Sequence, residues 1–478
     1  MDAKIIQGQG ITTNVGDVYS VTLSVGVTAY VDKGIYICQP SATNTTTTPT
    51  INVNSIGAKT ISRQGVSVKI GDINNDWMIL MYSVSANAMY LLNPTSPVKD
   101  VLYVTKDGDN GTAIIGRLDR PYLTIAAAQT AASSGQTIMV YPGTYSESGL
   151  GKAGINYHFM DGAIVASTTS SMWIDTGAIS YNISGDGEFT STSGRIVYFS
   201  NGGTLVMDGR LIGSTTVAGA ITASSTSTVF VNMSRYITTT TGYCISLADG
   251  SGTVYVKTGL IQATGAGGRV THSVLSTGKL FLTADEIKSA GTYLFRHSGD
   301  SEIRGRMTHT GSAEAVLGVF TAISGTQNYY GDIACTSTTA AISITGNTGG
   351  IVSFYGKITG AAIFNSIGNT GTIIFYNDCT ANASTSAAFL PYGGTTKILG
   401  RVYNSDANAA SYAIDLSNLT GTFILQNAVL VTGAGSAPSI YAGSAKNVLV
   451  LGTCMANINK HVNITVLAGS FTFDSNVQ

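Results

Sequence analysis

A four-residue unit recurs along most of the chain at intervals of roughly 20 to 27 residues. Each unit contains an outer residue, a small residue, an often charged residue and an apolar residue. The units are DGAI at 161, DGEF at 186, DGRL at 208, MSRY at 233, KTGL at 257, ADEI at 284, RGRM at 304, YGDI at 330, YGKI at 355, YNDC at 376, LGRV at 399, LQNA at 425 and LGTC at 451. One coil of a three-sided parallel β-helix has this length, and it buries its apolar face only when stacked on neighbours. The period therefore predicts an all-β chain with a parallel β-helix of about a dozen coils.

Stacking places equivalent residues of the units in columns, because strands of neighbouring coils lie about 4.8 Å apart. The fourth position is mostly apolar from Ile164 to Cys454 and predicts a column facing the core. The third position alternates in charge from Glu286 to Arg401, which predicts an outward column of weak ion pairs. The first position changes along the chain from aspartate through tyrosine to leucine. Either this first column turns into the core, or it presents an apolar stripe to partner chains.

Residues 1–92 have a different pattern, which predicts a small N-terminal β domain. Apolar and polar residues alternate in the segments 50–56, 66–70 and 77–84, as they do in half-buried strands. Pro94 and Pro97 cannot continue a hydrogen-bonded ladder and therefore indicate a linker. The expected division of the chain is residues 1–92 for the N-terminal domain, 93–99 for the linker, 100–465 for the β-helix and 466–478 for a C-terminal tail.

Composition narrows the function classes. Charged residues are 11% of the chain, against the usual share of about 25%, and the formal net charge is −1. This low charge, with 44% hydrophobic residues, excludes intrinsic disorder. Without a positive surplus, a basic nucleic-acid surface is excluded as well. Apolar runs are too short to span a bilayer, so no membrane insertion is expected.

Cysteines and short motifs give no sign of a metal or cofactor site. The five cysteines are far apart and form no CxxC pair, which indicates neither a disulfide scaffold nor a zinc site. Motifs of serine nucleophiles, zinc proteases and phosphate loops are missing from the sequence. The first residues, MDAKIIQGQG, lack the apolar core of a secretory signal. We therefore expect a chain made and kept in a reducing cytoplasm, with no cofactor.

The N-terminal domain resembles a small β module common in bacteriophage tail-fibre and adhesin proteins. The resemblance covers about 60 residues, from GIYICQPSATN to MYLLNP. Its matching elements are Asn52-Val53-Asn54, Ile56-Gly57-Ala58-Lys59, Gly71-Asp72-Ile73 and a final hydrophobic strand with Tyr82.

Residues 101–147 resemble the opening of a right-handed parallel β-helix of the pectate-lyase-like type. The matching elements are Asp107-Gly108-Asp109-Asn110-Gly111, Pro121-Tyr122-Leu123-Thr124-Ile125, Gly135-Gln136-Thr137-Ile138 and Pro142-Gly143-Thr144-Tyr145. The stretch between them predicts a short amphipathic helix near 122–133, ended by Gly135. Such a helix can cover the open end of a β-helix, where exposed backbone would otherwise recruit another strand.

Together the two resemblances imply a bacteriophage fibre or tailspike protein of the virion, assembled in the host cytoplasm. Residues 1–92 would join it to other virion structural proteins, and the rod would bind a host surface glycan or glycoprotein. Proteins of this kind are typically homotrimers. Two alternatives stay open: a tailspike depolymerase, either a hydrolase or a lyase, that cleaves a host surface polysaccharide, and a non-adhesive capsid or baseplate decoration protein. The low charge and the presence of only two tryptophans argue against a long sugar-processing groove.

The candidate catalytic residues are carboxylates. Asp161, Asp186 and Asp208 share the first position of their units, with Glu188 beside them. Glycosidases use two carboxylates about 5–9.5 Å apart, a spacing that one or two coils of the helix permit. Each aspartate precedes glycine, however, and Asp-Gly is a common turn dipeptide. The simpler interpretation is therefore three stacked turns, and we expect binding without cleavage.

Candidate ligand-binding residues are aromatic and basic. Tyr330, Tyr355 and Tyr376 share the first position of consecutive units and form a possible platform for stacking on sugars. Arg296 and Arg304 lie with Arg306 near two histidines, at 297 and 309, in a basic stretch that could hold an anionic sugar. A solvated loop is the simpler interpretation of that stretch.

Overall fold

The computed structural model is almost entirely β-structure and contains a parallel β-solenoid of about 13 turns and a curled N-terminal sheet. It describes residues 10–23, 26–63, 66–68, 70–73, 77–92, 100–214, 219–247, 251–272, 277–291, 293–311, 317–320, 323–336, 340–382, 387–406, 412–432, 439–442, 446–456, 464–466 and 470–473. The expected linker, residues 93–99, lies outside the described residues. The chain divides into two compact units, one of Met1–Tyr103 with Asp109–Tyr122 and one of Val104–Gly108 with Leu123–Gln478.

The first unit contains one sheet of eight strands. They are β1 (Thr13–Val15), β2 (Val18–Val21), β3 (Ile35–Cys38), β4 (Thr50–Val53), β5 (Lys59–Arg63), β6 (Val66–Ser67), β7 (Met78–Ser83) and β8 (Ala88–Leu91). The strand order is β1-β2-β4-β5-β8-β7-β3, and β6 pairs with β5. Alternate residues of these strands, among them Tyr19, Tyr36 and Ile51, form a buried core. Buried Asp72 forms an ion pair with Arg63.

A short helix, α1 (Ile125–Ala131), precedes the first coil of the second unit and follows β9 (Val101–Val104). Both ends of α1 are held by later side chains. The Glu147 carboxylate accepts from the backbone N–H groups of Ile125 and Ala126 at 2.8 and 2.7 Å. The Lys152 ammonium donates to three carbonyl oxygens at the C-terminal end. The helix ends at Ala131, earlier than expected, and Gly135 lies in the following turn with φ 89°.

Each complete coil passes through three parallel sheets, with one strand in each sheet or with one long strand that runs through the first two. The first sheet contains β10 (Thr137–Val140), β12 (Asn156–Phe159), β15 (Ser180–Gly185), β27 (Thr326–Tyr330), β30 (Ile351–Phe354), β33 (Thr372–Phe375), β36 (Thr395–Ile398), β39 (Thr422–Gln426), β42 (Lys446–Leu451) and β44 (Ile464–Val466). The second contains β11 (Gly143–Tyr145), β13 (Ala163–Ser167), β16 (Glu188–Ser191), β28 (Ile333–Cys335), β31 (Ile358–Gly360), β34 (Cys379–Ala381), β37 (Arg401–Asn404), β40 (Val429–Thr432), β43 (Thr453–Ala456) and β45 (Ser470–Phe473).

Five long strands run through both of these sheets. They are β18 (Thr204–Ser214), β20 (Thr228–Thr239), β22 (Thr253–Ala263), β24 (Lys279–Ser289) and β25 (Ser301–His309). The third sheet has two runs. They are β14 (Trp173–Ile174), β17 (Val197–Phe199), β19 (Ile221–Ala223), β21 (Tyr243–Leu247) and β23 (Arg269–His272), then β26 (Leu317–Phe320), β29 (Ala340–Thr345), β32 (Ala362–Ile367), β35 (Phe389–Leu390), β38 (Ile414–Asp415) and β41 (Ile440–Tyr441).

The solenoid continues beyond the expected boundary at residue 465. Strand β45 pairs in parallel with β43, which places Ser470 beside Thr453. The alternating sequence SFTF supplies this additional strand, so part of the segment expected to be a C-terminal tail belongs to the last coil.

An inward column from the second sheet forms part of the solenoid core. Its members are buried and face each other in successive coils: Phe189, Ile212, Ile237, Ile261, Ile287, Met307, Ile333, Ile358, Cys379, Val402, Leu430 and Ala456. The fourth position of the repeated unit is therefore inward from Ile287 to Val402. In four earlier units the buried column residue is one place later, as with Val165 after Ile164 and Ile212 after Leu211.

The neighbouring charged column faces outward, as the alternation of signs predicts. Glu286 forms an ion pair with Arg306 in the next coil. Two aspartates of the column instead accept hydrogen bonds from backbone N–H groups of the next coil. Asp332 accepts from Lys357 at 2.9 Å, and Asp378 accepts from Arg401 at 3.0 Å.

Candidate functional site

The three candidate aspartates do not form one column, contrary to the expectation from sequence. Asp161 and Asp186 lie in turns between strands of the first and second sheets, whereas Asp208 lies inside β18. Met207 pairs with Ile183, which places Asp208 next to Ser184 rather than next to Asp186. The same Asp-Gly dipeptide therefore occupies different positions in different coils, so its spacing along the chain does not give its register.

Two of the candidate carboxylates meet at Arg210. Its Nη1 lies 3.1 Å from Oδ1 of Asp161 and 3.3 Å from Oε1 of Glu188. Arg210 therefore bridges the two carboxylates by ion pairs. In a glycosidase the two carboxyl groups flank the scissile bond, whereas here they flank a guanidinium. Asp208 is separate and accepts a hydrogen bond from the Asn232 amide at 2.9 Å.

The three candidate tyrosines do come together. The rings of Tyr330, Tyr355 and Tyr376 are stacked with 4.5 Å between successive centroids and are nearly parallel. The Arg304 guanidinium covers the Tyr330 ring at 4.2 Å, and its Nε donates to Glu302 at 2.8 Å. Burial and the neighbouring phenol raise the pKa of Tyr330 and of Tyr376. Both hydroxyls are therefore neutral at pH 7.

The geometry of this tyrosine ladder limits its use as a sugar platform. Rings stacked one per coil cover each other's faces, and Arg304 covers the outer face of Tyr330. The ladder therefore presents ring edges and hydroxyl groups to solvent. Hydrogen bonds and edge contacts suit such a surface better than stacking of a sugar on a ring face.

A second aromatic ladder, Phe230, Tyr255 and Phe281, lies on the first sheet and was missed by the sequence analysis. Its centroids are 4.6 and 4.7 Å apart. The signal was available, because Val-Phe-Val, Val-Tyr-Val and Leu-Phe-Leu occur at 229, 254 and 280. Both flanking residues of each triplet are inward, so strand alternation places the aromatic residue outside.

Beside this second ladder lies a shallow groove of about 240 Å³, which we call the ladder groove. One wall is formed by the three aromatic side chains. The other is formed two residues further along each strand by Asp208, Asn232, Lys257 and Thr283. The groove thus combines apolar ring edges with a carboxylate, an amide, an ammonium and a hydroxyl group on neighbouring coils.

The predicted basic stretch is divided among several parts of the solenoid. His297 and His309 are buried, and burial lowers the pKa of each to about 4. Arg296 lies near the third sheet, where its backbone N–H donates to Thr271 Oγ1 at 3.2 Å. Arg304 is on the first-sheet part of β25. Residues that are near in sequence thus point to different faces, because one coil of about 25 residues passes through all three sheets.

The remaining candidate chemistry is limited. All five cysteines are buried thiols outside any disulfide, and burial raises the pKa of Cys38 to about 12. In the described part of the chain, no group of three or more His, Cys, Asp or Glu residues could hold a metal ion. Among those same residues there is also no helix long and apolar enough to cross a membrane.

Comparison with known proteins gives no relative. No family model, no curated protein and no solved structure matches the chain.

Proposed function

We propose that this protein is a structural fibre or tailspike of a bacteriophage virion and that it binds a glycan on the host surface. The ladder groove is the observation that carries the proposal. A glycan offers apolar C–H faces together with many hydroxyl groups. The groove offers ring edges on one wall and Asp208, Asn232 and Lys257 on the other.

The solenoid supports binding because it holds these side chains on paired strands. Residues in register across β18, β20, β22 and β24 line the groove. A preorganised site loses little conformational entropy when a ligand binds. A polymer lying along the groove would meet one outward apolar side chain and one polar side chain in each coil.

The other parts of the proposal rest on the sequence resemblances. The N-terminal unit attaches the protein to other virion structural proteins, and three chains associate as a homotrimer. The partly exposed stripe of Tyr330, Tyr355, Tyr376 and Leu399 supplies a surface of ring edges, hydroxyl groups and one aliphatic side chain for this association. The protein is located in the virion after assembly in the host cytoplasm.

The test is binding of the purified full chain to lipopolysaccharides and capsular polysaccharides from candidate host bacteria. We expect Tyr255→Ala and Lys257→Ala each to weaken binding at least about tenfold, since each removes the central side chain from one wall of the groove. Tyr392→Ala is the control, because Tyr392 is an exposed tyrosine that does not line the groove. Unchanged binding by both groove variants would contradict the proposed site.

The same incubation tests for cleavage. We expect no new reducing ends and no unsaturated uronates. If the wild type releases oligosaccharides and Asp186→Asn or Asp208→Asn abolishes the release, the protein is a depolymerase and the adhesin proposal is wrong. Binding that survives these substitutions and the groove substitutions would direct attention to Tyr330, Tyr355 and Tyr376.

A further inference from the structure

A cluster of cationic and aromatic side chains lies at the third sheet, away from the ladder groove. We call it the arginine cluster; it contains Tyr243, Arg269, His272, Tyr293 and Arg296. Arg269 is the central member. Its guanidinium carbon lies 5.4 Å from the ring centroid of Tyr243 and 5.0 Å from that of Tyr293. Two aromatic rings therefore hold one guanidinium in place.

His272 joins the cluster through a parallel stack on Tyr243, with 4.2 Å between the ring centroids. Burial and the positive charges of Arg269 and Arg296 lower the pKa of His272 to about 4. Both guanidinium groups therefore lie close enough to affect this imidazole. At pH 7 the imidazole is neutral, so the positive charge of the cluster belongs to the two arginines.

These two positive charges lack a counterion in the described part of the chain. No described carboxylate lies within 4.0 Å of either guanidinium, whereas Arg210, Arg304 and Arg306 each have an acidic partner. The Nε atoms of Arg269 and Arg296 are buried and have no hydrogen-bond partner among the described residues. Buried donors normally have a partner, although the Nε of Arg195 is buried and unpartnered as well. The arginine cluster differs in that two such guanidinium groups act on one imidazole, so positive charge is concentrated there.

We propose that the arginine cluster binds an oxyanion, either a carboxylate or a phosphate group, carried by the host glycan. Planar guanidinium groups suit both anions because they donate parallel hydrogen bonds to two oxygens. The Tyr243 hydroxyl and the neutral His272 ring add further polar groups at the edge. This inference deepens the proposed function and rests on it for the source of the anion.

The chemical test uses three probes: trigalacturonate as the carboxylate, glucose 6-phosphate as the phosphate, and neutral maltotriose. We expect isothermal titration at low salt to show at least one anion binding about tenfold or more tightly than maltotriose. A preference for trigalacturonate would identify an acidic sugar as the source, and a preference for glucose 6-phosphate would identify a phosphorylated one. Equal binding of all three probes, or no binding of either anion, would overturn the proposal.

Substitutions of the arginines test whether anions bind at the arginine cluster. Arg269→Gln with Arg296→Gln should weaken anion binding at least about tenfold, while Arg306→Gln should leave it unchanged. Arg306 is the control because its guanidinium already forms an ion pair with Glu286. Arg269→Lys keeps the charge but loses the planar fork, so it should fall between wild type and Arg269→Gln. Full anion binding by the double glutamine variant would place the site elsewhere.

Binding to host cells separates this inference from the proposed function. A double glutamine variant that binds cells as well as the wild type would overturn the anion site and leave host attachment intact. A wild-type protein that binds the anion but no bacterial surface would overturn host attachment and keep the anion site. If the double glutamine variant does not fold, the comparison of charged and neutral probes on the wild type decides the question.

Discussion

Gly356 packs directly against the carbonyl group of Gly331, its neighbour one coil earlier, so that a Cβ atom on Gly356 would overlap that oxygen. Gly331 has the same relationship to Gly305. These glycines occupy the second position of the repeated unit, where the chain turns from the first sheet to the second. Close packing between coils thus explains why the second position of the repeated unit is a small residue.

We expect Gly356→Ala to lower the free energy of unfolding by about 1–3 kcal/mol, because backbone of the preceding coil must move to accommodate the methyl group. Gly213→Ala is the control, since a Cβ there meets only threonine methyl groups at ordinary distances. Chemical denaturation of both variants measures the difference. Equal free energies of unfolding for the two variants would show that neighbouring coils can move apart at this corner without cost.

Ile358→Asp should prevent folding. Ile358 is buried between Ile333 and Cys379 in the inward column, and an unpaired buried charge costs several kcal/mol. Thr359→Asp is the control, because Thr359 is the next residue of β31 and is exposed. Circular dichroism and soluble yield report the outcome. A folded Ile358→Asp protein with wild-type stability would contradict the packing of this column.

The period of the repeat predicted the solenoid because stacking requires one apolar face in each coil. It did not give the register of every coil. Tyr236 and Leu260 are each followed by an isoleucine, and in both cases the isoleucine is inward. Where two apolar residues are adjacent, only the pairing of neighbouring strands decides which one enters the core.

The candidate sites show the same limit. The tyrosine ladder was predictable, since Tyr330, Tyr355 and Tyr376 occupy equivalent places in consecutive coils. The arginine cluster was not, because it combines residues from three successive strands or turns near the third sheet. Arg269 and Tyr293 belong to no repeated unit, and the loops before the third-sheet strands vary in length. Sequence spacing therefore cannot bring them together.

We expect the protein to lose stability as the pH falls from about 6.5 toward 4. The folded-state pKa of both His297 and His309 is lowered to about 4 by burial, against 6.5 for an exposed histidine. Between these values the unfolded chain binds more protons, so stability is complete above pH 6.5 and decreases below it. Each histidine contributes at most about 3 kcal/mol.

Urea denaturation at several pH values measures this dependence. Replacing His297 and His309 by Gln should flatten the decrease between pH 6.5 and 4. A pH dependence that is the same in the variants and in the wild type would assign the effect to other groups, either His272 or carboxylates.

The native protein should sediment as a homotrimer of about 148 kDa, three times the 49.4 kDa of one chain. Tyr376 and Leu399 lie next to each other on the outer stripe of the first sheet, and Tyr376 is 40% exposed. If this stripe is covered by partner chains, Tyr376→Lys with Leu399→Lys introduces unpaired charges into an interface, which should dissociate the trimer. Thr359→Lys, on the second sheet, should leave the trimer intact.

Sedimentation equilibrium at micromolar concentration and neutral pH distinguishes the trimer from the monomer. A wild-type protein found only at 49.4 kDa would exclude the trimer, and a lysine variant that stays trimeric would move the interface away from this stripe.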